Sequence, residues 1–127
     1  MNPKPEVNTK ILEVKGLKKY FPIRTGFFKK TVGQVKSVDE LNFFIEKGET
    51  LGLVGESGCG KTTTARCILR AIKPTKGEIW FQNSNQEMVD LNSLSNTKMR
   101  LLRCDMQLIF QDPFSSLNPR MNLLDLV

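Results

Sequence analysis

The sequence predicts an α/β fold, and three observations predict it. The run TLGLVG at 50–55 is apolar and of strand length. It ends at a glycine-rich loop, Gly55-Glu56-Ser57-Gly58-Cys59-Gly60-Lys61-Thr62. The residues that follow, KTTTARCILRAI, are spaced as a helix, with Ala65, Ile68, Leu69 and Ile72 on one face. The loop therefore sits between an apolar strand and a helix.

The remaining elements follow in chain order. Residues 1–10 are polar and Pro-containing and read as a loose lead-in. ILEVKGL, with Ile11, Val14 and Leu17, reads as a strand whose alternation is imperfect. Pro and Gly breaks in 22–33 predict a long connection or hairpin tip, in which the pair Phe27-Phe28 is unusual. Residues 34–47 form a second extended stretch, closed by a turn at Gly48-Glu49. Pro74 and Gly77 close the helix after the loop, and GEIWF at 77–81 reads as another strand. Residues 93–104 are helical with Ser93 or Ser95 as cap. MQLIFQ at 106–111 is an apolar strand, 112–119 a turn-rich loop, and MNLLDLV the start of something helical. A chain stopping one turn into an apolar helix is expected to be an incomplete domain over 11–127.

Composition narrows the function classes. Of 127 residues, 39% are apolar and 25% charged, as in ordinary globular proteins. The formal net charge is +6, but nine cations lie in residues 1–36 beside only Glu6 and Glu13. Subtracted from the totals of 19 and 13, these leave ten cations and eleven anions in the rest of the chain. The basic excess is N-terminal and interleaved with apolar residues, which reads as a solvated face rather than a nucleic-acid stripe. Cys59, Cys67 and Cys104 show no C-x-x-C spacing and there is no His, which argues against a zinc site or a disulfide framework. No stretch has the character of a secretory signal or of a membrane span.

The loop carries the chemistry. Its match to G-x-x-x-x-G-K-[ST] is complete, and the strand before it and helix after it are the context that motif requires. Glycines allow successive N–H groups to curl inward onto phosphate oxygens, and the helix N-terminus adds donors and the positive end of its dipole. Lys61 is placed to reach the β- and γ-phosphates, Thr62 to complete a Mg²⁺ shell, and Thr63 to approach the α-phosphate. Mg-ATP is the ligand this predicts. Cys59 sits at a helix N-terminus beside Lys61, a setting that can make a thiol oxidisable. It also reads as a small residue whose side chain points away.

Beyond the loop, the sequence resembles ABC-transporter ATPases. The order LKKYFP, VKSVDELNFFIEKGETLGLVGESGCGKTT, ILRAIKPTKGEIWF and MQLIFQDPFSSLNPRM is similar to the ATP-binding subunits of oligopeptide and dipeptide importers. It runs from about Ile11 to Met121, and FQDPFSSLNPR is its most particular phrase. The resemblance implies the N-terminal part of an ABC-type nucleotide-binding domain: an antiparallel β subdomain plus the start of the parallel core.

It also implies roles. Tyr20 matches the aromatic that stacks on adenine; otherwise it reads as a strand-end core aromatic. Val38 matches a residue packing near the same base. Gln111 matches the Q-loop glutamine, touching Mg²⁺ or the attacking water. Residues 112–121, with Phe114 and Leu117, match the surface where transmembrane permease subunits dock. The cofactor-binding set is thus Tyr20, Val38, Gly55, Glu56, Ser57, Gly58, Cys59, Gly60, Lys61, Thr62 and Thr63, with Lys61 and Gln111 catalytic and Thr62 and Gln111 at the metal. Implied partners are ATP, the permease subunits and a second, homologous ATP-binding subunit, with no nucleic acid, at the cytoplasmic face of the cell membrane. The family's signature motif, catalytic Glu and switch His do not occur in residues 1–127, so this stretch is expected to bind ATP without turning it over alone. Alternatives are a nucleotide-binding fragment without hydrolysis, another P-loop NTPase such as a small-molecule kinase or GTPase, and an importer of nickel or another small solute.

Overall fold

A computed structural model of the chain describes residues 9–25 and 30–109. Two long strands dominate it, β1 (Lys10–Thr25) and β2 (Lys30–Glu46), paired antiparallel along their whole length. The strands run further than the Pro and Gly breaks suggest: Arg24 still pairs with Thr31 and Thr25 with Lys30, so 22–33 is mostly ladder. Proline 22 sits within β1 opposite Gln34. Phe27 and Phe28 lie outside the described residues. A third strand, β3 (Lys76–Gln82), pairs antiparallel on the other side of β1, and a short β4 (Met88–Asp90) pairs with β3. The sheet order is β2-β1-β3-β4.

The imperfect alternation of β1 has a physical cause. Leu12 and Val14 face the core as alternate residues should, but the next buried residue is Leu17. Between Val14 and Leu17 the pairing slips: three steps on β1 oppose two on β2, from Phe43 to Leu41. Gly16 takes up the extra residue at φ 56 and donates its N–H to Asn42 Oδ1 at 2.7 Å. The β3 ladder slips at the same place, where Gly77 crosses so closely that a Cβ on it would lie 2.6 Å from Leu17 Cα. With its φ of 103 as well, position 77 admits only glycine.

The helix after the loop, α1, is shorter than its spacing predicts, running Lys61–Ile68. It stops before Pro74 because Arg70 turns left-handed at φ 52, and Ala71 N–H reaches back to Arg66 C=O at 2.9 Å. The buried face is also rotated from the predicted one: Thr64 and Cys67 are buried, with Ile68 and Ile72 packed beside them. A second helix, α2 (Asn96–Leu102), begins at the predicted cap, Ser95, whose Oγ accepts from Lys98 N–H at 3.4 Å. One 3₁₀ turn, Arg103–Asp105, follows.

The core lies on one face of the sheet. Leu12, Val14, Leu17, Val38, Ile79 and Phe81 cluster with Cys67 of α1, with Leu91 in the turn after β4, and with Met99 of α2. Burying each of the larger side chains stabilises the fold by about 1.5–3 kcal/mol.

Two expected strands are not found among the described residues. Residues 50–55 are not a strand, and Leu51, Leu53 and Val54 are exposed, Val54 to 94%. Of 106–111, the described part, 106–109, is likewise without strand structure, and Ile109 is 90% exposed. A buried parallel strand needs a hydrogen-bonding neighbour and cover on both faces. Among the described residues every strand pair is antiparallel and neither apolar run finds a ladder partner.

Candidate functional site

The glycine-rich loop is built by its glycines. Gly58 and Gly60 adopt φ of 81 and 98, a left-handed region that other residues reach only with strain. Gly60 has a second reason. A Cβ there would stand 2.2 Å from Ser37 C=O, so the loop presses backbone to backbone against β2. Gly55 faces Cys59, whose Sγ would lie 2.6 Å from a Cβ on Gly55. The Cys59 side chain is exposed and lies along the loop against Gly55.

Lys61 closes the loop on itself. Its Nζ donates to the carbonyls of Gly55 and Glu56, both at 2.5 Å, and to Cys59 Sγ at 3.4 Å. The ammonium is thereby held at the centre of the curl by the residues that begin it. The first helical backbone bond comes from Thr64 N–H to Gly60 C=O at 2.8 Å. Amides ahead of it are those that a helix start leaves to a ligand. Gly60 caps α1 without a side chain, and no acidic residue stands in the first turn to offset the positive end of the helix dipole.

Two hollows flank Lys61. One, of about 260 Å³, is lined by Ser57, Gly58, Gly60, Lys61, Thr62 and Thr63. It offers backbone donors and the hydroxyls of Ser57, Thr62 and Thr63 beside the Lys61 side chain, a donor set that suits phosphate oxygens. The other, of about 210 Å³, lies between the loop and β2, where Val38 and Asp39 face Gly60 and Lys61. Val38 is a buried core residue whose Cγ2 lies 3.6 Å from the Cβ position of Gly60.

Tyr20 stands on β1, partly buried and outside the core cluster. Its strand continues five residues past it, so it is neither a strand-end residue nor a core aromatic. Its hydroxyl donates to Asp39 Oδ1, and Lys36 Nζ lies 5.4 Å from the ring centroid. The bond to Asp39 raises the Tyr20 pKa and, with the one from Lys36, lowers that of Asp39.

The structure thus brings Ser57, Gly58, Gly60, Lys61, Thr62 and Thr63 to one hollow, with the Gly55 and Glu56 carbonyls and Cys59 on Lys61 behind it. Val38 joins from β2, and Tyr20 is linked through Asp39. Gln111, Phe114 and Leu117 lie outside the described residues. Asp39, Ser37 and Lys36 were not singled out by the sequence. Only the register of the hairpin reveals them, by setting Tyr20 opposite Lys36 and Lys19 opposite Val38.

A loop that wraps a lysine and hands it to a helix start defines a phosphate-binding-loop protein. The sequence profile of ABC transporters matches residues 38–126, and the chain belongs to the ABC transporter family. It is 51% identical over 118 residues to the oligopeptide transport ATP-binding protein AppF of Bacillus subtilis (strain 168), covering 92% of this chain and 34% of that protein. It is 48% identical to OppF of the same organism, an oligopeptide transport ATP-binding protein, covering 93% and 35%. The dipeptide transport ATP-binding protein DppF of Haemophilus influenzae is 46% identical, with coverage of 89% and 33%. Among solved structures, a dimer of MJ0796, a bacterial ABC transporter cassette, matches with a TM-score of 0.59 at 25% identity. The match covers 72% of this chain and 34% of that one. The chain spans about a third of the length of the curated relatives it matches. No helix among the described residues is long and apolar enough to cross a membrane.

Proposed function

We propose that this chain is the ATP-gripping part of an ABC importer's ATP-binding subunit, working on oligopeptides or dipeptides. The observation that carries the reading is the loop of Gly55–Thr62, curled around Lys61 at a start of α1 that no side chain caps. Backbone amides of the loop and first turn hold the phosphates. Lys61 neutralises the β- and γ-oxygens, and Thr63 approaches the α-phosphate. Tyr20 supplies the platform for the adenine ring, and Val38 packs near it.

Magnesium suits this donor set. Among the described residues no group of three or more His, Cys, Asp or Glu gathers to cage a metal. Mg²⁺ is ordinarily held by few protein atoms together with the substrate's phosphates, and the Thr62 hydroxyl is one hard oxygen of the hollow that can serve. When bound, the ion offsets charge on the β- and γ-phosphates. Gln111 joins Thr62 there, and this part of the chain grips the nucleotide while other parts of the protein complete hydrolysis. Residues 11–127 are one part of that nucleotide-binding domain, preceded by a lead-in over 1–10. The subunit works at the cytoplasmic face of the membrane with a second ATP-binding subunit and with permease subunits docked near Phe114 and Leu117.

Uptake of a labelled tripeptide by cells carrying the full-length protein tests this. Replacing Lys61 by Ala is expected to abolish ATP-dependent uptake. Unchanged uptake would overturn the importer reading. Loss of nickel uptake with peptide uptake intact would move it to the small-solute alternative.

A further inference from the structure

Tyr20 is constrained more tightly than a partly buried hairpin aromatic outside the core needs to be. Its hydroxyl donates to Asp39 Oδ1, its backbone N–H donates to Thr75 Oγ1 at 2.9 Å, and Lys36 Nζ stands 5.4 Å over its ring. Asp39 is itself fixed by Lys36 Nζ at 3.2 Å and approached by Lys18 Nζ at 4.0 Å. None of these residues belongs to the core cluster, and the Asp39 and Lys36 side chains are 42% and 62% exposed. Exposed pairs of this kind contribute little to stability. Their consequence is orientation instead. Asp39 has a place suited to that, because it lines the hollow of about 210 Å³ shared with Val38, Gly60 and Lys61. The hydroxyl end of the ring is thereby anchored to the wall beside the phosphate loop. Lys36 covers one ring face.

We propose that Asp39 is a positioning residue for nucleotide binding: its carboxylate fixes the Tyr20 hydroxyl so that the ring stands ready to receive the base at a set distance from the phosphate loop. This rests on the reading of Tyr20 as the base platform. Preorganisation of this kind raises affinity by removing the ordering cost of the side chain from the binding step. It acts on the base and leaves the phosphates untouched.

Titration of the full chain with Mg-ATP and with magnesium tripolyphosphate, which lacks a base, separates the two. Asp39→Ala and Tyr20→Phe are each expected to weaken ATP about three- to tenfold, the range that freeing one such side chain costs. Tripolyphosphate affinity is expected to stay unchanged in both. The Tyr20→Phe/Asp39→Ala double variant is expected to be no weaker than either single one, because both remove the same bond. Tyr20→Ala is the reference for the platform itself. If Tyr20→Ala weakens ATP while Asp39→Ala and Tyr20→Phe do not, the positioning role fails and the platform stands. If Tyr20→Ala also leaves ATP unaffected, the platform reading fails and takes this one with it. Equal loss of ATP and tripolyphosphate in Asp39→Ala would mark general damage to the site and overturn the proposal.

Discussion

The link between Tyr20 and Asp39 ties the aromatic to the wall of the hollow beside the phosphate loop, and its chemistry can be read by titration. Accepting the hydroxyl hydrogen bond stabilises ionised Asp39 and neutral Tyr20, so the carboxyl pKa falls and the phenol pKa rises. Lys36 adds to the first effect; Lys18 and Lys36 oppose the second. The chain has one tyrosine, so its phenolate absorbance reports Tyr20 alone. Ionisation is expected above the ordinary value of about 10, and Asp39→Ala is expected to bring it back down toward it. The pair's contribution to stability has a window with both edges defined. On the acid side it is full above the ordinary carboxylate value of about 3.9 and is lost as pH falls through the lowered Asp39 value. On the alkaline side it is lost as pH rises through the raised Tyr20 value. The pair is exposed, so that contribution is small: urea unfolding of the wild type and Asp39→Ala should differ only slightly at neutral pH and converge in acid.

The loop and the sheet behind it explain which glycines are required. Gly60→Ala places a methyl 2.2 Å from the Ser37 carbonyl in a left-handed backbone, and forces the loop off β2. Mg-ATP affinity is expected to fall at least about tenfold, the factor equivalent to 1.4 kcal/mol, less than this strain and clash together cost. Gly52→Ala meets nothing within 4 Å and has no left-handed backbone, so its affinity should match the wild type in the same titration. The loop itself was legible in the sequence because its spacing is rigid: glycines, Lys61 and Thr62 fall at fixed offsets. The contact with Ser37 was not legible. It depends on the register of β2 against β1, and the slips at Gly16 and beside Lys19 destroy the two-residue period from which a register would be read. Asp39 was hidden for the same reason.

At the scale of the whole chain, hydrophobic runs of similar composition have different fates. GEIWF finds β1 and becomes β3, while TLGLVG and MQLI stay unpaired among the described residues. Composition announces a strand, but burial depends on partners that a local reading does not contain. Stability measurements on the 127-residue chain separate the two cases. Leu17→Ala, at a fully buried position, is expected to cost about 2–5 kcal/mol. Val54→Asp and Ile109→Asp, at exposed positions, are expected to stay within about 0.5 kcal/mol of the wild type in urea unfolding. A buried parallel strand at 50–55 would instead make Val54→Asp among the most damaging changes. The family membership and the loop support the central proposal, that Lys61 at the start of α1 grips a nucleotide's phosphates. Calorimetric titration of the full chain with Mg-ATP, wild type against Lys61→Ala, tests it most directly. Saturable binding that weakens at least about tenfold in the variant is predicted, the scale of losing one charge-assisted contact. Equal affinity in the two proteins would contradict it.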